Sequence, residues 1–169
     1  MKNLLLATCL ILVSTLWGAA QCTRHVEKTG GFSYCAPDAW TPKDPRSGTY
    51  KTFMAPQGDP SRANLNWKDE VTSASHAEYL VSALKFLLAK NDPAQQVMIT
   101  EWEDFTTDAR MKGTRMAYVV NYKGMTLRVV QYIFDRPGKK LLLTGTALDS
   151  YKTETDKLFD ATARSIRTP

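Results

Sequence analysis

Met125-Thr126-Leu127-Arg128-Val129-Val130-Gln131-Tyr132-Ile133-Phe134 runs into Asp135-Arg136-Pro137-Gly138 and leaves it as Lys140-Leu141-Leu142-Leu143-Thr144-Gly145-Thr146-Ala147. Two apolar-rich segments around a Pro-Gly turn read as a β-hairpin. Pro137 fixes a negative φ and Gly138 accepts a positive one, which suits the two central positions of a type II turn. Working towards the N-terminus, Asn121-Tyr122-Lys123-Gly124 is a second turn signal. The two turns predict strands over 111–121, 125–134 and 140–147, and a further apolar segment predicts one over 97–105. The result is an antiparallel meander spanning 97–147.

Outside the meander, residues 32–36 read as a short strand stopped by Pro37, and 49–54 alternates until Pro56 ends it. A third strand is expected over 63–68, with loops over 37–48 and 56–62. Ser75 and Glu78 form a Ser-x-x-Glu capping box, in which each side chain accepts from the other's backbone N–H. Leu80, Leu84, Leu87 and Leu88 follow on one face with Val81 beside them, so a helix is expected to about Lys90, where Asn91-Asp92-Pro93 stops it. Glu78, Ser82, Lys85 and Lys90 are expected to face water. A closing helix over 150–167 places Tyr151, Leu158, Phe159, Thr162 and Ile166 toward the sheet. Strands, an inserted helix, a meander and a last helix predict an α+β class, an α/β/α sandwich with helices packed on a mainly antiparallel sheet. Trp40, Trp67 and Trp102 are expected in the core or at its edge.

The first twenty residues carry an export signal: Lys2 is the charged start, Leu4 to Leu16 the apolar stretch, and Gly18-Ala19-Ala20 the small residues before cleavage. The apolar stretch is shorter than the roughly 20 residues a helix needs to cross a bilayer. Residues 1–20 are therefore expected to be removed, leaving a single domain over 21–169 in the periplasm or secreted. Cleavage removes one lysine and no acid, lowering the formal net charge from +5 to about +4. Basic residues are scattered among acids, so neither nucleic acid nor a polybasic membrane surface is the expected partner.

Cys9 leaves with the signal, so Cys22 and Cys35 remain as a pair in an oxidising compartment. A hairpin turning in Lys28-Thr29-Gly30-Gly31 would set them opposite one another, and the bridge is the expected use of both. Lipid anchoring at Cys22 is the weaker alternative, because the residue before a lipidated cysteine is normally small and here it is Gln21. A redox-active role lacks the Cys-x-x-Cys spacing that lowers a thiol pKa.

Catalytic and metal motifs are weak. His25 and His76 stand in separate elements without His-Glu-x-x-His spacing, and His76 with Glu78 or Asp69 is the first place a metal would be sought. No Gly-x-Ser-x-Gly elbow and no phosphate-cradling loop occur in the sequence. Glu101 and Glu103 share a strand face, with Asp104 beside them, and an exposed face of solvated acids is preferred over a glycosidase-like pair. No catalytic residue, metal ligand or cofactor is assigned.

Gly31-Phe32, Pro37, Trp40 and Pro42 together resemble the opening of the PsbP-like family, named for an extrinsic subunit of photosystem II. Tyr50 and Phe53, Asn64-Leu65-Asn66, the Ser75-to-Leu80 helix start, the Leu141-to-Ala147 strand and the Phe159-to-Ile166 helix continue the likeness. The resemblance implies an α/β/α sandwich used as an accessory or docking module. The long N-terminal segment of photosynthetic members has no counterpart, because only residues 21–30 separate the cleavage point from Gly31-Phe32. The chain reads as an exported bacterial relative, a non-catalytic accessory or docking protein of the cell envelope that binds a protein partner of unknown identity. Trp67, Trp102, Arg115 and Arg128 are the candidate partner-binding residues. The alternative is a small-ligand or lipid carrier with a pocket between sheet and helices.

Overall fold

The computed structural model describes residues 22–44, 50–90 and 97–168. The expected export signal and the expected Asn91-Asp92-Pro93 helix stop lie outside the described residues. Within them the chain forms β1 (Thr23–Glu27), β2 (Phe32–Ala36), β3 (Thr41–Lys43), β4 (Thr52–Met54), β5 (Asn64–Glu70), α1 (His76–Lys90), β6 (Val97–Thr106), β7 (Lys112–Tyr122), β8 (Met125–Arg136), β9 (Lys139–Leu148) and α2 (Lys152–Arg164). A single 3-10 turn, Asp149–Tyr151, joins β9 to α2.

The expected meander is the centre of the fold. β6 to β9 pair antiparallel in chain order, and β5, β4 and β3 extend the sheet beyond β9 to give the order β3-β4-β5-β9-β8-β7-β6. At the β8–β9 turn Arg136 pairs with Lys139 across Pro137-Gly138, and Gly138 takes a φ of +70°. That conformation costs a glycine little and most other residues more.

Period-two alternation gives the sheet two apolar faces. On one, Val130, Tyr132 and Phe134 of β8, Leu141 and Leu143 of β9, and Leu65 and Trp67 of β5 meet Phe159, Ala163 and Ile166 from the C-terminal segment. On the other, Met116, Tyr118, Val129, Ile133 and Leu142 meet Leu80 and Leu84 of α1. Burying each such side chain contributes about 1.5–3 kcal/mol. The capping box forms as expected: the Ser75 N–H donates to Glu78 Oε2 at 2.8 Å and the Glu78 N–H to Ser75 Oγ at 3.2 Å. At Gly145 the side chains of α2 press against the sheet, since a Cβ there would meet the Phe159 ring at 2.6 Å.

β1 and β2 form a separate two-stranded hairpin on the α2 side, with Phe32, Tyr34 and Ala36 in the main core. A paired bridge between Ser33 and Arg167 ties the hairpin to the end of the chain. The Cys22–Cys35 disulfide spans 5.3 Å between Cα atoms. The register differs from the symmetric one expected, because Arg24 rather than Cys22 faces Cys35 and the bridge runs diagonally from the residue before β1. A two-stranded hairpin is marginal alone. Replacing both cysteines with serine is expected to lower unfolding stability by about 3 kcal/mol, measured by urea denaturation. A loss under about 1 kcal/mol would show that core packing alone holds the hairpin.

Three expectations are corrected. The 37–48 loop contains β3, a three-residue edge strand whose residues are all exposed, so no apolar alternation marks it. Pro42 is tolerated there because an edge strand needs no donor on its outer side. Leu158 is turned to solvent and α2 buries Thr155 and Ala163 alongside Phe159 and Thr162. Trp102 is 44% exposed, whereas Trp40 and Trp67 are in the core.

Candidate docking surface

β6 forms one edge of the seven-stranded sheet, and among the described residues no strand pairs with its outer side. Its register against β7 shifts between Ile99 and Glu101, so Thr100 is an extra residue. Such a bulge puts two successive side chains on one face. Thr100 and Glu101 both point toward α2, followed by Glu103 and Phe105. Val97, Ile99 and Trp102 share the opposite face, since they pair with Val120, Tyr118 and Met116 on the α1 side. Met98, Ile99 and Trp102 are all substantially exposed.

Arg115 and Arg128 lie on the α2 face of β7 and β8 and are 4% and 3% exposed. Buried guanidiniums require full pairing. Asp156 of α2 accepts from Arg115 at 3.0 Å and from Arg128 Nε at 2.9 Å, while Asp160 accepts from Arg115 Nε at 3.0 Å and from the Tyr132 hydroxyl. From the other side, Glu101 accepts from Arg128 at 2.6 Å and from Arg115, and Glu103 accepts from Arg115 at 3.2 Å. Thr100 Oγ1 accepts from Arg128 at 3.2 Å and donates to the Ala117 carbonyl. The bulge residue therefore anchors the network to the edge strand.

Of the four candidate partner-binding residues, the structure brings Arg115 and Arg128 together and leaves the tryptophans apart. Trp67 is fully buried between Phe32 and Tyr34, with ring centroids 5.4 and 4.6 Å away, and offers a partner no surface. The arginines are internal posts that hold Glu101 and Glu103 in place. Trp102 alone of the four is a surface residue, on the opposite face of β6. Glu101 and Glu103 are not merely solvated acids, as their sequence setting implies, but the solvent-side half of a buried ion cluster. The parity of Arg128 with Val130, Tyr132 and Phe134, and of Arg115 with Ala117, was the available sign that both point into the core.

Burial acts to raise the Glu101 pKa, but hydrogen bonds and positive charge from Arg115 and Arg128 outweigh it and hold the carboxyl below its ordinary value. Asp135 is likewise held low, first by its hydrogen bond from Lys140. Carboxyls depressed in the folded state contribute stability that is present above their unfolded pKa, about 4.3 for Glu and 3.9 for Asp, and is lost as pH falls through the folded values. The thermal midpoint is therefore expected to fall below about pH 4.3, with a shallower fall in Glu101→Gln. Identical pH profiles for the two proteins would assign the acid lability elsewhere.

His76 contacts Thr114 Oγ1 at 2.7 Å and Asp135 at 3.2 Å, while Glu78 is engaged in the helix cap and Asp69 accepts from Tyr50 at 2.7 Å and pairs with Lys139. His25 packs against Tyr34 and Phe53, where burial and then Lys51 lower its pKa. Among the described residues no group of three or more His, Cys, Asp or Glu side chains is arranged to hold a metal ion, and no helix is long and apolar enough to cross a membrane. A groove of about 610 Å³ opens between the disulfide, Trp40 and Leu158, lined also by Arg24 and Asp38. It lies between the hairpin side and α2.

No protein-family model matches the sequence, and no curated protein matches it. Solved structures do match. Cyanobacterial PsbP from Synechocystis sp. PCC 6803 superposes with a TM-score of 0.70 at 16% identity, covering 90% of this chain and 95% of that one. The Ran-binding protein Mog1p of Saccharomyces cerevisiae gives 0.62 at 6% identity, covering 89% and 96%. LpqN, involved in cell envelope biogenesis of Mycobacterium tuberculosis, gives 0.58 at 18% identity, covering 88% and 91%. At these identities the likeness is one of architecture, and the antiparallel seven-stranded sheet with its two helices carries the PsbP-like α+β fold.

Proposed function

We propose that this chain is an exported, non-catalytic accessory protein that docks on a protein partner in the bacterial cell envelope. The observation that carries the reading is the β6 rim, where Ile99 and Trp102 stand exposed on one face and Met98 on the other, beside Glu101 and Glu103, on a strand edge that is unpaired among the described residues. Large exposed apolar groups beside charged ones are a common mark of an interaction surface. The Cys22–Cys35 bridge fits an oxidising compartment. Among proteins of like fold, one is a Ran-binding protein and another is involved in cell envelope biogenesis, which supports an accessory role.

The test is a crosslinking pull-down from the native envelope with the chain from Gln21 onward. One stoichiometric envelope protein is expected, with recovery reduced by Trp102→Lys. Recovery of the chain alone would overturn the reading. The groove beside the disulfide favours a second reading, a small-ligand or lipid carrier, because its volume falls within the range of ligand sites and Trp40 and Leu158 give it apolar walls. Native mass spectrometry of the purified protein would support this reading by an added small mass that Leu158→Trp abolishes.

A further inference from the structure

The two edges of the seven-stranded sheet are treated differently. β3 is three residues long and contains Pro42, which is how sheets commonly blunt an edge. β6 is ten residues long, contains no proline and exposes three large apolar side chains; its bulge at Thr100 and its charged residues, Glu101, Glu103 and Asp104, restrict which strand can pair with it. Alternate residues of an edge strand direct backbone N–H and C=O groups outward, so β6 offers a template for one more strand.

The side chains say what that strand should carry. On the α2 face of β6 stand Glu101 and Glu103, members of a cluster whose four carboxylates surround two guanidiniums, so it retains net negative charge. On the other face stand Ile99 and Trp102, with Asp104 beyond them towards the end of the strand. A second copy of this chain is a poor occupant, because antiparallel pairing centred on Trp102 sets Glu101 of one copy against Glu103 of the other, and like charges directly opposite are destabilising. Resting on the docking reading above, we infer that the partner contributes an extended segment that pairs with β6 as an eighth strand. Its basic residues alternate with apolar ones, the basic set facing Glu101 and Glu103 and the apolar set facing Ile99 and Trp102. Main-chain pairing supplies affinity in this mode and the alternate side chains supply specificity.

The probe is a fluorescein-labelled nine-residue peptide alternating lysine and valine, titrated into the mature protein by anisotropy. It is expected to bind at least about tenfold more tightly than a peptide of the same composition with its lysines contiguous, since several cross-strand pairs are matched at once. N-methylation of alternate residues on the paired side should abolish binding, and amide-exchange protection should appear in β6. The Trp102→Lys protein should lose about tenfold, with its thermal melt confirming that it folds. Equal binding of the contiguous-lysine peptide, indifference to N-methylation, no binding, or protection away from β6 would each overturn the inference. In the envelope pull-down, capture that survives Trp102→Lys would retain a docking role while removing this edge from it, and no capture at all would remove the role itself.

Discussion

Asp156→Ala is expected to lower unfolding stability by about 3–5 kcal/mol, the range for breaking a buried ion pair from one side. Asp156 accepts from both Arg115 and Arg128, and the two guanidiniums are almost wholly withdrawn from water. Removing it leaves Arg128 with Glu101 and Thr100, and Arg115 with Glu101, Glu103 and Asp160. Two positive charges then share fewer partners in a poorly hydrated site. For a chain of this size the loss corresponds to a fall in thermal midpoint of about 10 °C. Asp156→Asn, which keeps an acceptor but not the charge, should fall between. A single substitution costing less than about 1 kcal/mol would mean that water screens the cluster as it screens a surface pair.

Two kinds of information decide how this fold could be read from its residues. Local signals were sufficient for the meander, since Pro137-Gly138 and Lys123-Gly124 fix turns within four residues and Ser75 and Glu78 cap α1 through bonds three residues apart. Signals carried by tertiary register were not. The ion cluster joins β7 and β8 to α2 across 28 to 45 positions, and nothing local in the spacing of Asp156 and Asp160 says which strand residues they will meet. The bulge at Thr100 is equally silent, because strict alternation puts Ile99 and Glu101 on one face whereas the extra residue sends them to opposite faces. That slip places Ile99 and Trp102 on one face of β6 and Glu101 and Glu103 on the other. β3 carries no local signal, because an exposed three-residue edge strand is recognisable only by its partner, Thr52–Met54.

Trp67→Ala is expected to destabilise the fold by about 3–5 kcal/mol, the cost of deleting a large aromatic from a core. This residue joins the two parts of the molecule: it belongs to β5 in the large sheet and packs on Phe32 and Tyr34 of the separate hairpin. Its loss would open a cavity where those two sheets meet, and the disulfide at the far end of the hairpin cannot close it. Trp67→Phe should cost much less. Among the described residues the buried Trp67 indole N–H has no hydrogen-bond partner, so phenylalanine gives up volume but also removes an unsatisfied donor. Denaturant midpoints for the two variants, with the change in tryptophan emission, separate this structural role from a contact with a partner. If Trp67→Ala instead unfolded at the wild-type midpoint while losing capture of the envelope protein, the indole would have to reach the surface in the bound state, and the hairpin would be a movable cover rather than part of the core.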